Sequence, residues 1–171
     1  MATSVSRRFD DPAPAGDPPK VAVIGMGNLL LKDEGVGIHV IQALEKASLD
    51  GCDEFIIVDG GTCTDILLQL PDGIEKLIVV DAVKGGGEPG SIYRFTPDDI
   101  AFERGTRTSV HQLGLSESLA MMEAARAKPP QVVILGVEPK EIDWGLEISA
   151  ELQERIPRMI ALVKEEIANL H

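Results

Sequence analysis

The residues best suited to chemistry in this chain are acids and one imidazole placed where short apolar runs end. Glu34 follows Asp33 in the loop 26–35, after the run VAVIG at 21–25. Asp81 closes the run Leu77, Ile78, Val79, Val80, and an acid leaving a buried run is costly unless it is paired, hydrogen-bonded or bound to a cation. His111 lies in Ser109-Val110-His111-Gln112, where Ser109 and Gln112 read as a capping box that opens a helix. A first-turn position lowers imidazole basicity and favours the neutral, metal-binding form. Glu34, Asp81 and His111 together make an O,O,N donor set suited to a divalent metal such as zinc or nickel, with positions left for water or an incoming ligand. For Asp33 the alternative is a helix N-cap, and for Asp81 the cap of a following turn.

Other arrangements fit less well. In Gly25-Met26-Gly27-Asn28-Leu29-Leu30 the third glycine of a dinucleotide fingerprint is replaced by Leu30, and a six-residue loop separates the turn from the next helix. Asp59, at the end of the second run, stands where a ribose-binding acid would lie. A nucleotide-binding α/β protein with a degenerate glycine-rich loop is therefore the alternative reading. Cys63 is read as a small buried hydrophobe rather than a thiol nucleophile paired with His111. The turn Gly60-Gly61-Thr62 either offers backbone groups to an extended ligand or simply turns the chain. No G-x-S-x-G or H-E-x-x-H occurs, and His39 and His171 lack a comparable context.

The elements that must position these groups alternate between short apolar runs and segments of helical period, the pattern of βαβ units. Strands are expected at 21–25, 54–58, 77–81, 91–95 and 131–136. The segment 91–95 alternates and follows a Gly-rich turn too closely for a helical crossover, so it is expected antiparallel at an edge. Helices are expected at 35–47, 65–70, 110–125 and 149–170. In the last, Ile148, Leu152, Ile156, Ile160, Val163, Ile167 and Leu170 form one apolar stripe, and Pro157 should kink it or begin a second piece. The fold class is α/β: a three-layer α/β/α sandwich around a mostly parallel five-stranded sheet with one antiparallel edge strand. Residues 1–19, rich in Pro, Asp, Ala and Gly, read as a flexible tail and 20–171 as a single domain.

Composition narrows the partners. The 171 residues carry 16 basic and 28 acidic side chains, a net charge of −12, which disfavours nucleic acid and anionic membrane surfaces. Apolar runs are far too short to span a bilayer, and two unpaired-looking cysteines, Cys52 and Cys63, fit a reducing compartment; a cytoplasmic protein is expected. Segment 138–154 has six acids and one lysine, net −5, and reads as a solvated loop and helix start or as a surface for a basic partner. Trp144, the one tryptophan, is either a partner contact or a core anchor.

The runs G-M-G-N-L-L-L-K-D-E-G-V-G-I, D-G-G-T, V-V-D-A-V with a later P-G, S-V-H-Q-L-G-L and L-G-V-E-P, in this order, resemble the [NiFe]-hydrogenase maturation endopeptidases. The resemblance covers about 21–170. It implies a cytoplasmic protease, expected as a monomer, that removes a short C-terminal extension from the hydrogenase large-subunit precursor after nickel insertion. The family's metal-binding positions fall on Glu34, Asp81 and His111. Nickel, supplied by the substrate, would then be the recognition element, and another divalent metal such as zinc or cadmium could occupy the site in vitro. Glu34 and Asp81 are the implied catalytic acids, in a metal-assisted or an aspartic-type mechanism.

Overall fold

The computed structural model describes residues 7–8, 18–47, 55–102, 110–125 and 128–170. Its strands are β1 (Arg7–Arg8), β2 (Val21–Met26), β3 (Phe55–Gly61), β4 (Lys76–Ala82), β5 (Ile92–Phe95) and β6 (Gln131–Val137). They form one sheet in the order β1-β3-β2-β4-β6-β5. Every pairing is parallel except β5 with β6, so 91–95 is the antiparallel edge element that its alternation predicts. The five expected strands are all present. Two residues of the N-terminal segment, Arg7 and Arg8, add a short rung outside β3.

The helices are α1 (Val36–Lys46), α2 (Pro97–Phe102), α3 (Val110–Ala125), α4 (Ala150–Gln153) and α5 (Ile156–Ala168). α2 has no counterpart in the periodicity reading. Segment 65–70 forms a 3₁₀ helix, Thr64–Gln69, instead of an α-helix: it is short, and it buries Leu67 with Leu70 three residues on. Near Pro157 the stripe divides into α4 and α5, with the proline in the first turn of α5, where its missing N–H costs nothing.

The period-two alternation of the strands builds two cores. Val21, Val23, Ile78, Val80, Val133 and Leu135 face α1, α4 and α5. Ala22, Ile24, Leu77, Val79 and Ile134 face Leu67 and the α3 residues Leu115, Leu119 and Met122. Nearly continuous apolar runs are needed because both faces are covered. Glycine sets the closest contact: a Cβ on Gly37 would lie 2.3 Å from the carbonyl oxygens of both Met26 and Val80, so α1 can start directly over β2 and β4 only with glycine there.

From β2 the chain moves to β3 on one side and then to β4 on the other. The adjacent carboxyl ends of β2 and β4 are therefore the topological switch point, the place where open α/β sheets hold their ligands.

Candidate active site

Two segments converge at that switch point. After β2, Gly27 turns the chain at φ +136°, and a Cβ there would lie 1.9 Å from the Glu34 carbonyl oxygen. Its N–H donates to the Gly61 carbonyl at 2.7 Å, tying the loop to the end of β3. The loop then forms a 3₁₀ turn, Lys32–Gly35, that packs against β4 and carries Asp33 and Glu34. On β4, Asp81 is opposite Gly136 of β6, one residue beyond the Gly25–Val80 pairing of β2 with β4.

Three acids at this edge are buried, and their hydrogen bonds separate their roles. Asp33 is fully enclosed. Its carboxylate accepts from the Lys140 N–H (2.9 Å), the Glu141 N–H (2.9 Å), the Ser149 N–H (2.6 Å) and the Ser149 hydroxyl (2.9 Å). It makes no side-chain cap of its own 3₁₀ turn or of α1, so the N-cap reading is corrected: it pins the distant segment 140–149 to the β2–α1 loop. The cap could be read from local spacing, whereas its real donors lie more than a hundred residues away.

Glu138, just past β6, accepts through one oxygen from the N–H groups of Gly85 (2.7 Å) and Gly86 (3.0 Å) and from the Tyr93 hydroxyl (2.7 Å). The same Tyr93 oxygen accepts from the Gly87 N–H at 3.0 Å. This carboxylate fixes the Gly-rich turn beside Asp81. Within the acidic segment it was indistinguishable from solvated acids, although its place at the end of an apolar run matches that of Asp81.

Asp81 differs from both. It is 3% exposed, and the bond that the structure gives its carboxylate is from the neighbouring Ala82 N–H, at 2.8 Å. Burial pushes its carboxyl up from 3.8 to about 7; the Ala82 N–H opposes this, and the nearby negative charge of Glu34 raises it further. Asp33 and Glu138 are satisfied by several donors each and hold loops. Asp81 lies within electrostatic reach of a second acid, Glu34, and a proton or a cation would relieve their repulsion.

Glu34 and Asp81 are thus brought together. His111 lies in the first turn of α3, but its side chain is outside the described residues, as is Ser109 of the expected capping box. α3 packs against the 3₁₀ helix Thr64–Gln69, which follows β3. Among the described residues no three His, Cys, Asp or Glu side chains gather. The acids present are hard oxygen donors of a type suited to a divalent cation.

The remaining candidates separate clearly. Cys63 is exposed, which corrects the buried-hydrophobe reading: it follows the turn at the end of β3 instead of entering a core. Asp59 is exposed and accepts from the Gly61 N–H at 3.0 Å, closing a local turn. His39, which sequence context passed over, hydrogen-bonds the Leu146 backbone, and its Nε2 is buried with no partner among the described residues. Burial lowers its pKa, opposed by that bond. Trp144 is 76% exposed and anchors no core. No helix among the described residues is long and apolar enough to cross a membrane.

A sequence profile described as hydrogenase maturation protease matches residues 38–166. The chain is similar to the hydrogenase expression/formation protein HupD of Rhizobium leguminosarum bv. viciae, at 34% identity over 153 residues, 87% of this chain and 75% of that protein. HupD of Thiocapsa roseopersicina is 32% identical over 152 residues, 88% of this chain and 68% of that one. Among solved structures, the hydrogenase maturating endopeptidase HybD from E. coli shares the fold with a TM-score of 0.75 at 24% identity, over 87% of this chain and 92% of that one.

Proposed function

Because this chain belongs to the hydrogenase maturation protease family, we propose that it removes the C-terminal extension of a nickel-loaded [NiFe]-hydrogenase large-subunit precursor, acting as a cytoplasmic monomer. The observation that carries the site assignment is the buried Asp81 carboxyl, pushed to about 7 beside the charge of Glu34 at the switch point. A buried carboxyl with raised proton affinity near a second acid is suited to acid and base work.

Glu34, the more accessible of the two, accepts a proton from the attacking water, and Asp81, which holds its proton near neutrality, supplies one toward the leaving amine. Gly27 and the 3₁₀ turn hold the Glu34 backbone. The Gly85–Gly86 turn, which follows β4 in the chain, is fastened by Glu138. Glu34, Asp81 once it has given up its proton, and His111 would also be the ligands offered to the nickel of the precursor, and the metal would supply recognition of a nickel-loaded substrate. That reading is supported by the donor types and by the electrostatic strain of two adjacent acids.

The test is an incubation of purified full-length protein with nickel-loaded and with nickel-free precursor. Nickel-loaded precursor is shortened and nickel-free precursor stays intact; Glu34→Gln, Asp81→Asn and His111→Ala each abolish shortening. Processing that persists in all three variants removes this site assignment. The nucleotide-binding alternative is disfavoured by the loop itself, since β2 ends at Met26 and α1 begins only at Val36, with the 3₁₀ turn between them. Stabilisation by dinucleotides together with an untouched precursor would revive it.

A further inference from the structure

Among the described residues, four of the six exposed large hydrophobics lie on one rim: Leu30 (52%), Ile142 (40%), Trp144 (76%) and Leu146 (67%). The rim joins two segments far apart in sequence. Leu31 bridges Gly145, the Lys32 N–H donates to the Gly145 carbonyl at 2.9 Å, and the Gly145 N–H donates to the Leu30 carbonyl at 3.0 Å. Lys32 pairs with Glu141 at 2.6 Å, Asp33 clamps Lys140, Glu141 and Ser149, and His39 holds the Leu146 backbone. The backbone beneath these side chains is fixed from several directions, so the apolar groups are presented outward on a preorganised frame.

Exposed apolar side chains clustered at one place mark an interaction surface, and tryptophan is the residue most often found at its energetic centre. Asp143 and Glu147, both exposed, flank Trp144 and Leu146, within a segment of net charge −5. The rim is also continuous with the site: Leu30 and Leu31 run directly into the 3₁₀ turn that carries Glu34.

We infer that this Leu30–Ile142–Trp144–Leu146 rim is the docking surface for the precursor protein, engaging an apolar patch of it flanked by Lys or Arg side chains. The inference rests on the protease reading and deepens it. Contacts at the rim seat the body of the substrate, leaving the carboxylates at the switch point to act on the segment that enters beside them. Because the rim makes no contact with the reacting bond, its loss raises KM and leaves kcat in place.

The experiment compares wild type, Trp144→Ala and Leu146→Ser with Met121→Ala, an exposed apolar residue on α3 away from the rim. With nickel-loaded precursor, Trp144→Ala raises KM roughly thirtyfold at unchanged kcat, the loss typical of a tryptophan hot spot. Leu146→Ser raises it less and Met121→Ala not at all. Since Trp144 is the single tryptophan, 5-fluorotryptophan labelling gives one ¹⁹F resonance, which shifts when precursor is added and is indifferent to the protein's own concentration. Unchanged KM in both rim variants overturns the inference, and so does a resonance that moves with self-concentration, which would make a second copy the occupant. If wild type fails to shorten the precursor, the protease reading fails instead, and the ¹⁹F shift alone then decides whether the rim docks that protein.

Discussion

Replacing Asp81 by Asn in metal-free protein should stabilise the fold increasingly as pH rises from about 4 to about 7. The Asp81 carboxyl moves from 3.8 to about 7 on folding because burial penalises its charge. That gap corresponds to about 4 kcal/mol of preference for the protonated form. The folded state therefore binds more protons than the unfolded state between about pH 4 and pH 7. The stability associated with this group is fully present below 3.8 and is lost as pH rises through about 7. Asparagine has the same shape, keeps an oxygen for the Ala82 N–H and does not titrate. Chemical denaturation of both proteins with EDTA present, from about pH 5 to pH 8, isolates Asp81 together with its coupling to Glu34, because titrations not coupled to Asp81 cancel in the difference. The variant should already exceed wild type by about 1.5 kcal/mol near pH 5 and by about 4 kcal/mol near pH 8, so the difference should grow by roughly 2.5 kcal/mol across the range. Nickel added near pH 8 should then raise the Tm of wild type more than that of the variant. A flat difference curve, or a less stable variant at pH 8, would refute the placement of an uncompensated carboxyl at the end of β4.

Three further outcomes follow from the same geometry. Gly27→Ala places a methyl group 1.9 Å from the Glu34 carbonyl oxygen at φ +136°; urea denaturation should show a loss of about 3 kcal/mol or more, with processing lost as the Glu34 turn shifts. Asp33→Ala strips the acceptor from three backbone N–H groups and the Ser149 hydroxyl. It should cost about 3 kcal/mol or more and raise amide exchange across 140–149. At the opposite end of the sheet, buried Lys76 donates to the Glu166 and Asn169 carbonyls and pairs with the Glu166 carboxylate, which also holds Arg94. Glu166→Ala should cost about 3 kcal/mol in denaturation while kcat of the folded enzyme is unchanged, because the cluster lies away from the switch point.

Much of the fold was legible in the sequence because its signals are local. Runs such as Leu77 to Val80 announce strands covered on both faces, the alternation in 91–95 marks an antiparallel edge, and Pro157 divides the final stripe where its ring fits only a helix start. That Glu34 and Asp81 share one edge was legible because both follow strands of a mostly parallel sheet, whereas the adjacency of β2 and β4 is a finding of the structure. The α2 helix and the 3₁₀ form of Thr64–Gln69 did not follow, because segments of six residues carry too few turns for a period to be read.

What the sequence by itself determined is thus which residues form layers and which strand ends carry acids. Only the tertiary structure decided what each acid does. Asp33, Asp81 and Glu138 occupy similar positions at strand ends or in the adjoining loop, but Asp33 meets four donors from 140–149 and Glu138 meets three from the Gly-rich turn and Tyr93. Among the described residues, Asp81 meets the N–H of its neighbour and the charge of Glu34. Trp144 was likewise undecided between core and surface until Gly145 was paired with the β2–α1 loop, which turns its side chain outward. The reason is common to all of them. Hydropathy and turn chemistry act between residues close in the chain, whereas the protonation of a buried carboxyl and the exposure of a loop side chain depend on donors and charges that only folding brings near.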